Sequence, residues 1–264
     1  MNIIAIDIGN TNVTIGLYVD DSEKGLIKLA GNDCAGIAVA IKDFWSQIPV
    51  MASSKEKKRD GHIVIASVRP EWAGSVREIV ADELGEKVHE IGVDKDVPLP
   101  MELAVDEPGK VGVDRVMSAF AAYSVVGDAV AIADLGTAVT IDLVSEEGVF
   151  LGGTIFPGFE VAARSLGTDI TSLPDVGRVH EPGKPFGRNT AEAINNGIYY
   201  SAVGAIETIA RMYADELGKW PQTIVTGGNM PIVKAGCSFV DTFVTDLALK
   251  GIVLAYKKYI EEKS

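Results

Sequence analysis

Two short segments of this chain share an order of residue types that suits the binding of phosphate. The first is Asp7-Ile8-Gly9-Asn10-Thr11-Asn12-Val13-Thr14, and the second, 127 positions later, is Asp134-Leu135-Gly136-Thr137-Ala138-Val139-Thr140. Glycine allows a main chain to approach a ligand closely, while threonine and asparagine supply hydroxyl and amide donors. An aspartate repels phosphate but can bind the cation that accompanies it. The repeated segment therefore predicts two turns that bind the phosphates of a nucleotide.

Each of these turns lies between two apolar runs, which is the pattern of a strand, a turn and a second strand. Residues 2–6 and 129–133 precede the turns, and residues 13–19 and 139–144 follow them. Such hairpins are predicted by apolar runs that flank a short Gly-containing segment. A single Asp-Gly hairpin is an ordinary turn, but a matched pair about one domain apart indicates an internal duplication.

The elements after each hairpin follow a similar order, with a third strand and then helices and strands. The apolar spacing predicts strands at 25–30, 62–66, 87–91, 149–155 and 223–226, and helices at 35–48, 71–84, 114–126, 190–217 and 245–261. The polar, basic segment 53–61 is predicted to be a solvated loop. We expect an α/β protein with an N-terminal domain over 1–126 and a C-terminal domain over 127–264, each a mixed five-stranded sheet flanked by helices. This organisation resembles the duplicated, ribonuclease H-like domains of actin-like ATPases, which implies an active site in the cleft between the halves.

Composition narrows the classes of function. The chain has 264 residues, 47% of them hydrophobic, and a net charge of −13, which argues against a nucleic-acid partner because such proteins need a basic face. Its two cysteines, Cys34 and Cys237, have no metal-ligand spacing and are expected to be free thiols. We see no signal peptide and no apolar run of membrane-spanning length, so we expect a cytoplasmic protein without a membrane partner.

Four further segments contain glycine and polar residues at positions where a helix begins or a strand ends. They are Gly112-Val113-Asp114-Arg115, Gly152–Gly158, Gly187-Arg188-Asn189-Thr190 and Thr226-Gly227-Gly228-Asn229. The first puts an acid and a base at a helix N-terminus, and the last is a strand-to-helix turn that could accept a nucleoside or phosphate edge. Each alone is also compatible with an ordinary turn or helix cap. No Gly-x-x-x-x-Gly-Lys-Ser/Thr segment occurs, which excludes a P-loop kinase.

Together and in this order, these segments resemble type III pantothenate kinases over nearly the whole chain, from Ile6 to about Gly228. The family resemblance implies that ATP phosphorylates the primary hydroxyl of pantothenate, which gives 4'-phosphopantothenate in the first step of coenzyme A biosynthesis. It also implies a homodimer. The dimer is predicted as well by the apolar residues of the long second-half helix, which are more than one intradomain face needs: Ile194, Ile198, Tyr199, Tyr200, Val203 and Ile206.

The resemblance also implies site residues. ATP would contact Thr137 and the whole first turn, namely Asp7, Ile8, Gly9, Asn10, Thr11, Asn12, Val13 and Thr14. Pantothenate would contact Gly112, Val113, Asp114, Arg115 and Thr190. Asp114 would be the proton acceptor, and Asp134 would bind a monovalent cation, K⁺ or NH₄⁺. We also expect Mg²⁺ with the ATP, held by Asp7 directly or through water.

Three positions depart from the family pattern. Many members have a tyrosine that packs on the substrate where this chain has Val105, and Ser118 and Ser201 replace a common asparagine and glycine. We expect Val105 to line the pantothenate side of the site.

Two other functions remain open from the sequence alone. One is another actin-like kinase that acts on a different small molecule, and the other is a non-catalytic regulatory homologue.

Overall fold

Two mixed five-stranded sheets make up the computed structural model, which describes residues 1–51, 58–170, 173–174 and 176–264. The strands are β1 (Ile3–Ile8), β2 (Asn12–Val19), β3 (Ser22–Ala30), β4 (His62–Ser67), β5 (Val88–Ile91), β6 (Val130–Leu135), β7 (Ala138–Val144), β8 (Phe150–Pro157), β9 (Gln222–Thr226) and β10 (Thr242–Phe243). The helices are α1 (Cys34–Gln47), α2 (Pro70–Leu84), α3 (Val113–Val126), α4 (Phe159–Asp169), α5 (Thr190–Leu217), α6 (Met230–Val233) and α7 (Leu247–Lys263). Most of the predicted basic loop, residues 53–57, lies outside the described residues.

The two sheets have the same topology. Their strand orders are β3-β2-β1-β4-β5 and β8-β7-β6-β9-β10. In each, the first two strands form an antiparallel hairpin and the first strand also pairs in parallel with the fourth. Asp7 lies opposite Thr14 in the first hairpin, and Asp134 lies opposite Thr140 in the second. The predicted duplication and the α/β fold class are therefore confirmed.

Two compact units contain these sheets. The first comprises Met1–Glu102, Asp106–Ala121 and Ala248–Ser264, and the second comprises Leu103–Val105 and Ala122–Leu247. The C-terminal helix α7 thus belongs to the first unit, although it follows the second sheet in the sequence. The domain boundary between residues 126 and 127 stays a prediction.

Strand β1 of the first sheet is apolar along almost its whole length because it is buried on both faces. Ile4, Ile6 and Ile8 of β1 are completely buried in a core that α1 and α2 complete. A strand that is buried on both faces reads as a continuous apolar run rather than an alternating one. This burial explains the run that precedes the first turn.

The long helix α5 spans Thr190–Leu217, which confirms the predicted bounds. Asn189 caps its N-terminus by accepting a hydrogen bond from the Glu192 main-chain nitrogen at 2.9 Å, and Gly218 ends it in a left-handed conformation. Four of the six apolar residues from which a dimer was predicted are buried within the second unit: Ile194, Ile198, Tyr199 and Ile206. Tyr200 remains 43% exposed. The composition of α5 is therefore weaker support for a dimer than its sequence indicated.

Three short elements were not predicted as separate elements, namely α4, α6 and β10. The last two have four and two residues, which is too short for a periodic pattern. Both cysteines are free thiols, as expected. Within the described ranges, no helix is long and apolar enough to cross a membrane.

The packing of α7 on α3 depends on Gly251. A Cβ atom at this position would lie 2.0 Å from the main-chain oxygen of Met117, so the two helices could not remain this close together. We expect Gly251→Ala to lower the free energy of unfolding by about 1–3 kcal/mol through overpacking. The control is Gly204→Ala in α5, where a Cβ meets nothing within 4 Å; it should raise stability by about 0.5–1 kcal/mol. Urea unfolding of both variants measures the difference, and equal effects would contradict this packing.

Candidate active site

The second turn connects β6 to β7 and is enclosed by two glycines from other segments. Gly136 N donates to Ala138 O at 3.1 Å, which closes the turn. A Cβ at Gly158 would lie 2.3 Å from Gly136 O and 2.5 Å from Thr137 O, and Gly158 N donates to Thr137 O at 3.0 Å. Only glycine fits there, because its main chain is in direct contact with the turn.

Gly227 lies on the other side of the second turn, against Asp134. Its φ is +95°, and a Cβ would be 2.4 Å from Asp134 Oδ1 and 2.6 Å from Leu135 N. Any side chain would therefore meet both backbone strain and a steric clash. Gly158 of the segment Gly152–Gly158 and Gly227 of the segment Thr226–Asn229 thus both lie against the second turn.

The first turn connects β1 to β2 and leaves its central residues exposed. Gly9 N donates to Asn12 O at 3.0 Å, and Asn10 and Thr11 are exposed. Ile8 and Val13 are fully buried in the core, so any contact they make with ATP goes through the main chain.

Asp7, at the inner end of this first turn, has a side-chain oxygen that is buried. Thr14, opposite it on β2, is only 9% exposed. A ligand would therefore reach this end of the turn chiefly from the Asn10 and Thr11 side.

Asp114 lies in the first turn of α3, where the free N–H groups and the helix dipole favour a negative charge. Its Oδ1 accepts a hydrogen bond from Arg115 N at 2.9 Å. Burial is the largest influence on this carboxyl group and raises its pKa above the ordinary value, although the Arg115 amide and charge oppose the shift. A Cβ at Gly112 would lie 2.5 Å from the same oxygen, so the glycine makes room for the carboxylate.

Val68 lies between Gly112 and the end of β1 within the first unit. Its main-chain nitrogen donates to Ile8 O at 3.0 Å, and its Cγ1 lies 3.7 Å from the Cβ position of Gly112. The sequence analysis missed this residue because nothing in its type signals a role; only the parallel pairing of β1 with β4 places it there.

Thr190 borders an apolar pocket of about 540 Å³ in the second unit. The lining residues come from β8, α4, α5 and the segment before α5: Phe156, Pro157, Phe159, Ala162, Leu166, Leu173, Thr190, Ala193, Ile194, Gly197, Ile198, Ser201 and Ala202. Thr190 is held at the start of α5 by a reciprocal cap, in which Arg188 N donates to Glu192 Oε2 at 2.8 Å. Pro157 belongs to the pocket, and the following Gly158 contacts the second turn, so pocket and turn adjoin.

The three departures from the family pattern have different surroundings. Val105 is half-buried, with its Cγ1 3.6 Å from the Cβ position of Gly152 on β8. Ser201 lines the apolar pocket. Ser118 is buried within α3, and its hydroxyl has no hydrogen-bond partner among the described residues.

The donor set suits a metal that arrives with its ligand. Within the described part of the chain, no group of three or more His, Cys, Asp or Glu residues could hold an ion by itself. Asp7 and Asp134 each contribute one carboxylate at the inner end of a turn. Mg²⁺ commonly binds in this way, through one or two carboxylates together with phosphate oxygens and water.

Comparison with known families identifies relatives over the full length. The family model of type III pantothenate kinase matches residues 3–212. The type III pantothenate kinase of Persephonella marina is 31% identical over 254 residues, covering 96% of this chain and 98% of the relative. That of Streptomyces coelicolor is 31% identical over 264 residues, covering 98% of both.

Solved structures show the same fold at low sequence identity. A Campylobacter jejuni protein described as a Baf family transcriptional activator superposes with a TM-score of 0.56 at 18% identity, covering 98% of both chains. MreB5 of Spiroplasma citri bound to AMPPNP gives 0.52 at 12% identity, covering 100% of this chain and 99% of its own. A glucokinase from an Antarctic psychrotroph gives 0.51 at 10%, covering 98% and 99%. These likenesses show that the fold is that of actin-like ATPases and sugar kinases.

The raised pKa of Asp114 predicts how the stability of the folded chain depends on pH. Because the folded chain disfavours the ionised carboxylate, stability falls as the pH rises through the folded pKa. We expect Asp114→Asn to melt at an equal or higher temperature than the parent at mildly alkaline pH, with the advantage shrinking as the pH falls. The control is Asp128→Asn: the Lys219 ammonium, 2.6 Å away, lowers the pKa of Asp128, so its loss should not stabilise. A lower melting temperature for Asp114→Asn at alkaline pH would contradict the assignment.

Proposed function

This chain belongs to the type III pantothenate kinases, and we propose that Asp114 and the two turns carry out its reaction. The chain is an ATP-dependent kinase that phosphorylates pantothenate in coenzyme A biosynthesis, using a divalent metal with the nucleotide. The observation that supports our assignment most directly is the carboxylate of Asp114 at the α3 N-terminus, where burial raises its pKa and Gly112 makes room for it.

Asp114 is the proton acceptor in this mechanism. The primary hydroxyl oxygen of pantothenate attacks the γ-phosphorus, the bond to the bridging oxygen of ADP breaks, and the hydroxyl proton passes to Asp114. A raised pKa makes the carboxylate a stronger base, but it also keeps more of it protonated in mild acid. Activity should therefore fall, on acidification, at a higher pH than an ordinary aspartate would give.

The phosphates of ATP are bound by the first turn and by Thr137 of the second. Asn10 and Thr11 are the exposed polar residues of the first turn, while Ile8 and Val13 contribute only main chain. Asp7 would hold Mg²⁺ directly or through water, and the metal would neutralise the negative charge of the phosphates.

Pantothenate is bound by Gly112, Val113 and Arg115 at the α3 N-terminus. The planar guanidinium of Arg115 matches a carboxylate in two-pronged geometry, which suits the acid group of pantothenate. Thr190 at the start of α5 contacts the same substrate, and Val105 borders it.

Asp134 binds a monovalent cation, potassium or ammonium. An aspartate here has no use in holding phosphate directly, since the charges repel. The main chain of Gly227 lies close to the Asp134 carboxylate, beside the turn. A cation bound there would offset the negative charge of ATP, which is unfavourable on a protein of net charge −13.

We also propose a homodimer, which the exposed apolar side chains of the second unit support. Ile155 on β8, Ile170 after α4, Phe186 before α5 and Tyr200 on α5 are 62%, 44%, 64% and 43% exposed. A contiguous patch of such exposed apolar groups is typical of an association surface. Nothing in the structure favours the two other functions considered from the sequence, and the likeness to the Campylobacter jejuni protein extends only to the fold.

Asp114→Asn should lose about 10²–10⁴-fold of turnover, because an amide cannot accept the hydroxyl proton. The KM for ATP should change little, because asparagine has nearly the size of aspartate and no group that binds ATP is removed. Steady-state kinetics with both substrates measure this outcome. A variant that keeps more than about a tenth of the parent rate would show that Asp114 is not the base.

Sodium or lithium in place of potassium should lower the rate, because the smaller ions fit the proposed Asp134 site less well. Asp134→Ala should remove the ion dependence together with most of the activity. Rates are compared at equal ionic strength so that general screening does not differ. Equal rates in all three salts would disprove the cation assignment and leave the kinase activity unaffected.

The chain should have a dimeric mass by light scattering at micromolar concentration. Tyr200→Glu should shift this mass toward the monomer, because it puts a charge into the proposed apolar interface. The control is Trp220→Glu, beyond the other end of α5, where Trp220 is 52% exposed. A monomeric parent protein rules the proposal out.

A further inference from the structure

We propose that Glu160 is a positioning residue for ATP, acting through Asn229 to hold the Gly227–Gly228 turn beside the second phosphate turn. The proposal rests on the proposed contact of Thr137 with ATP. Neither Glu160 nor Asn229 has a role in the reaction as derived above, and they are 69 positions apart in the chain.

The first turn of α4, which contains Glu160, is fixed in position by the junction that precedes it. Gly158 donates its N–H to Thr137 O at 3.0 Å, and its missing side chain allows main-chain contact with Gly136. Glu160 follows two residues later, at a helix N-terminus that favours its negative charge. The position of the Glu160 main chain, and so of its carboxylate, therefore depends on the second turn.

Asn229 is fixed to the same turn from the opposite side. Its main-chain nitrogen donates to Leu135 O at 3.1 Å, and two residues earlier Gly227 lies against the Asp134 carboxylate. Asn229 is only 9% exposed. Its side chain makes no capping hydrogen bond to the four-residue helix α6 that follows.

One hydrogen bond joins these two supports: Asn229 Nδ2 donates to Glu160 Oε2 at 3.1 Å. The contacts then form a closed ring, from Leu135 through Asn229, Glu160 and Gly158 to Thr137. A charged acceptor strengthens such a bond. Without it, a largely buried amide loses a partner, and a glycine turn with little steric restraint of its own loses a support.

The expected consequence is on ATP binding rather than on the chemical step. Glu160→Ala should raise the ATP KM about three- to tenfold, the effect of losing about one hydrogen bond, while kcat and the pantothenate KM stay within about twofold. Glu160→Gln should restore the ATP KM, because its amide oxygen can accept the same bond. Glu207→Ala, which removes an exposed glutamate of α5, is the matched control and should have no effect.

Asn229→Ala should reproduce the effect of Glu160→Ala, and the double variant should be no worse than either single one, because both remove the same bond. Melting temperatures are measured in parallel, and the near-isosteric Glu160→Gln keeps the test decisive if an alanine variant is less stable. An unchanged ATP KM in Glu160→Ala, or no recovery in Glu160→Gln, overturns the proposal. If Asp134→Ala is inactive while Glu160→Ala keeps its ATP KM, this inference alone fails. If Asp134→Ala retains normal ion-dependent activity, the proposed role of the second turn fails, and this inference fails together with that role.

Discussion

The main-chain approach to the second turn is the contact on which the rest of the second unit's site depends. Gly158 touches the main chain of Gly136 and Thr137, and Gly227 touches the carboxylate of Asp134. Both contacts require the absence of a side chain. They position the residues that follow β8 and the segment between β9 and α6 against the turn. In the proposed function an anionic nucleotide binds here, and main-chain N–H groups and cations would offset the unfavourable net charge of the protein.

The first unit holds a carboxylate that is partly withdrawn from water, and we propose this group as the base. Placing Asp114 at the start of α3 gives the carboxylate the favourable end of the helix dipole and the Arg115 amide. Burial nevertheless dominates and raises its pKa. Ionised Asp114 therefore lowers the stability of the folded chain, and a pKa perturbed in this way is common at catalytic positions.

The local features of the fold and site could be predicted from the sequence, and the long-range ones could not. The apolar runs and the Asp-x-Gly turns predicted both hairpins, and the helical spacing of apolar residues predicted the bounds of α5. Ile194, Ile198 and Ile206 were predicted to be surplus apolar surface, because the sequence does not show that α4 and the second sheet cover them. Val68 and the Glu160–Asn229 bond were missed for the same reason, since each arises from strand order or from segments far apart in the chain.

The central claim is that this site transfers a phosphoryl group from ATP to pantothenate rather than to water. The most direct measurement follows ADP formation by the purified chain with Mg²⁺ and potassium, in the presence and absence of pantothenate, and identifies the product by mass spectrometry. We expect ADP to form only when pantothenate is present, with one phosphopantothenate for each ADP. ADP formation at the same rate without pantothenate, or with no phosphorylated product, would contradict the account.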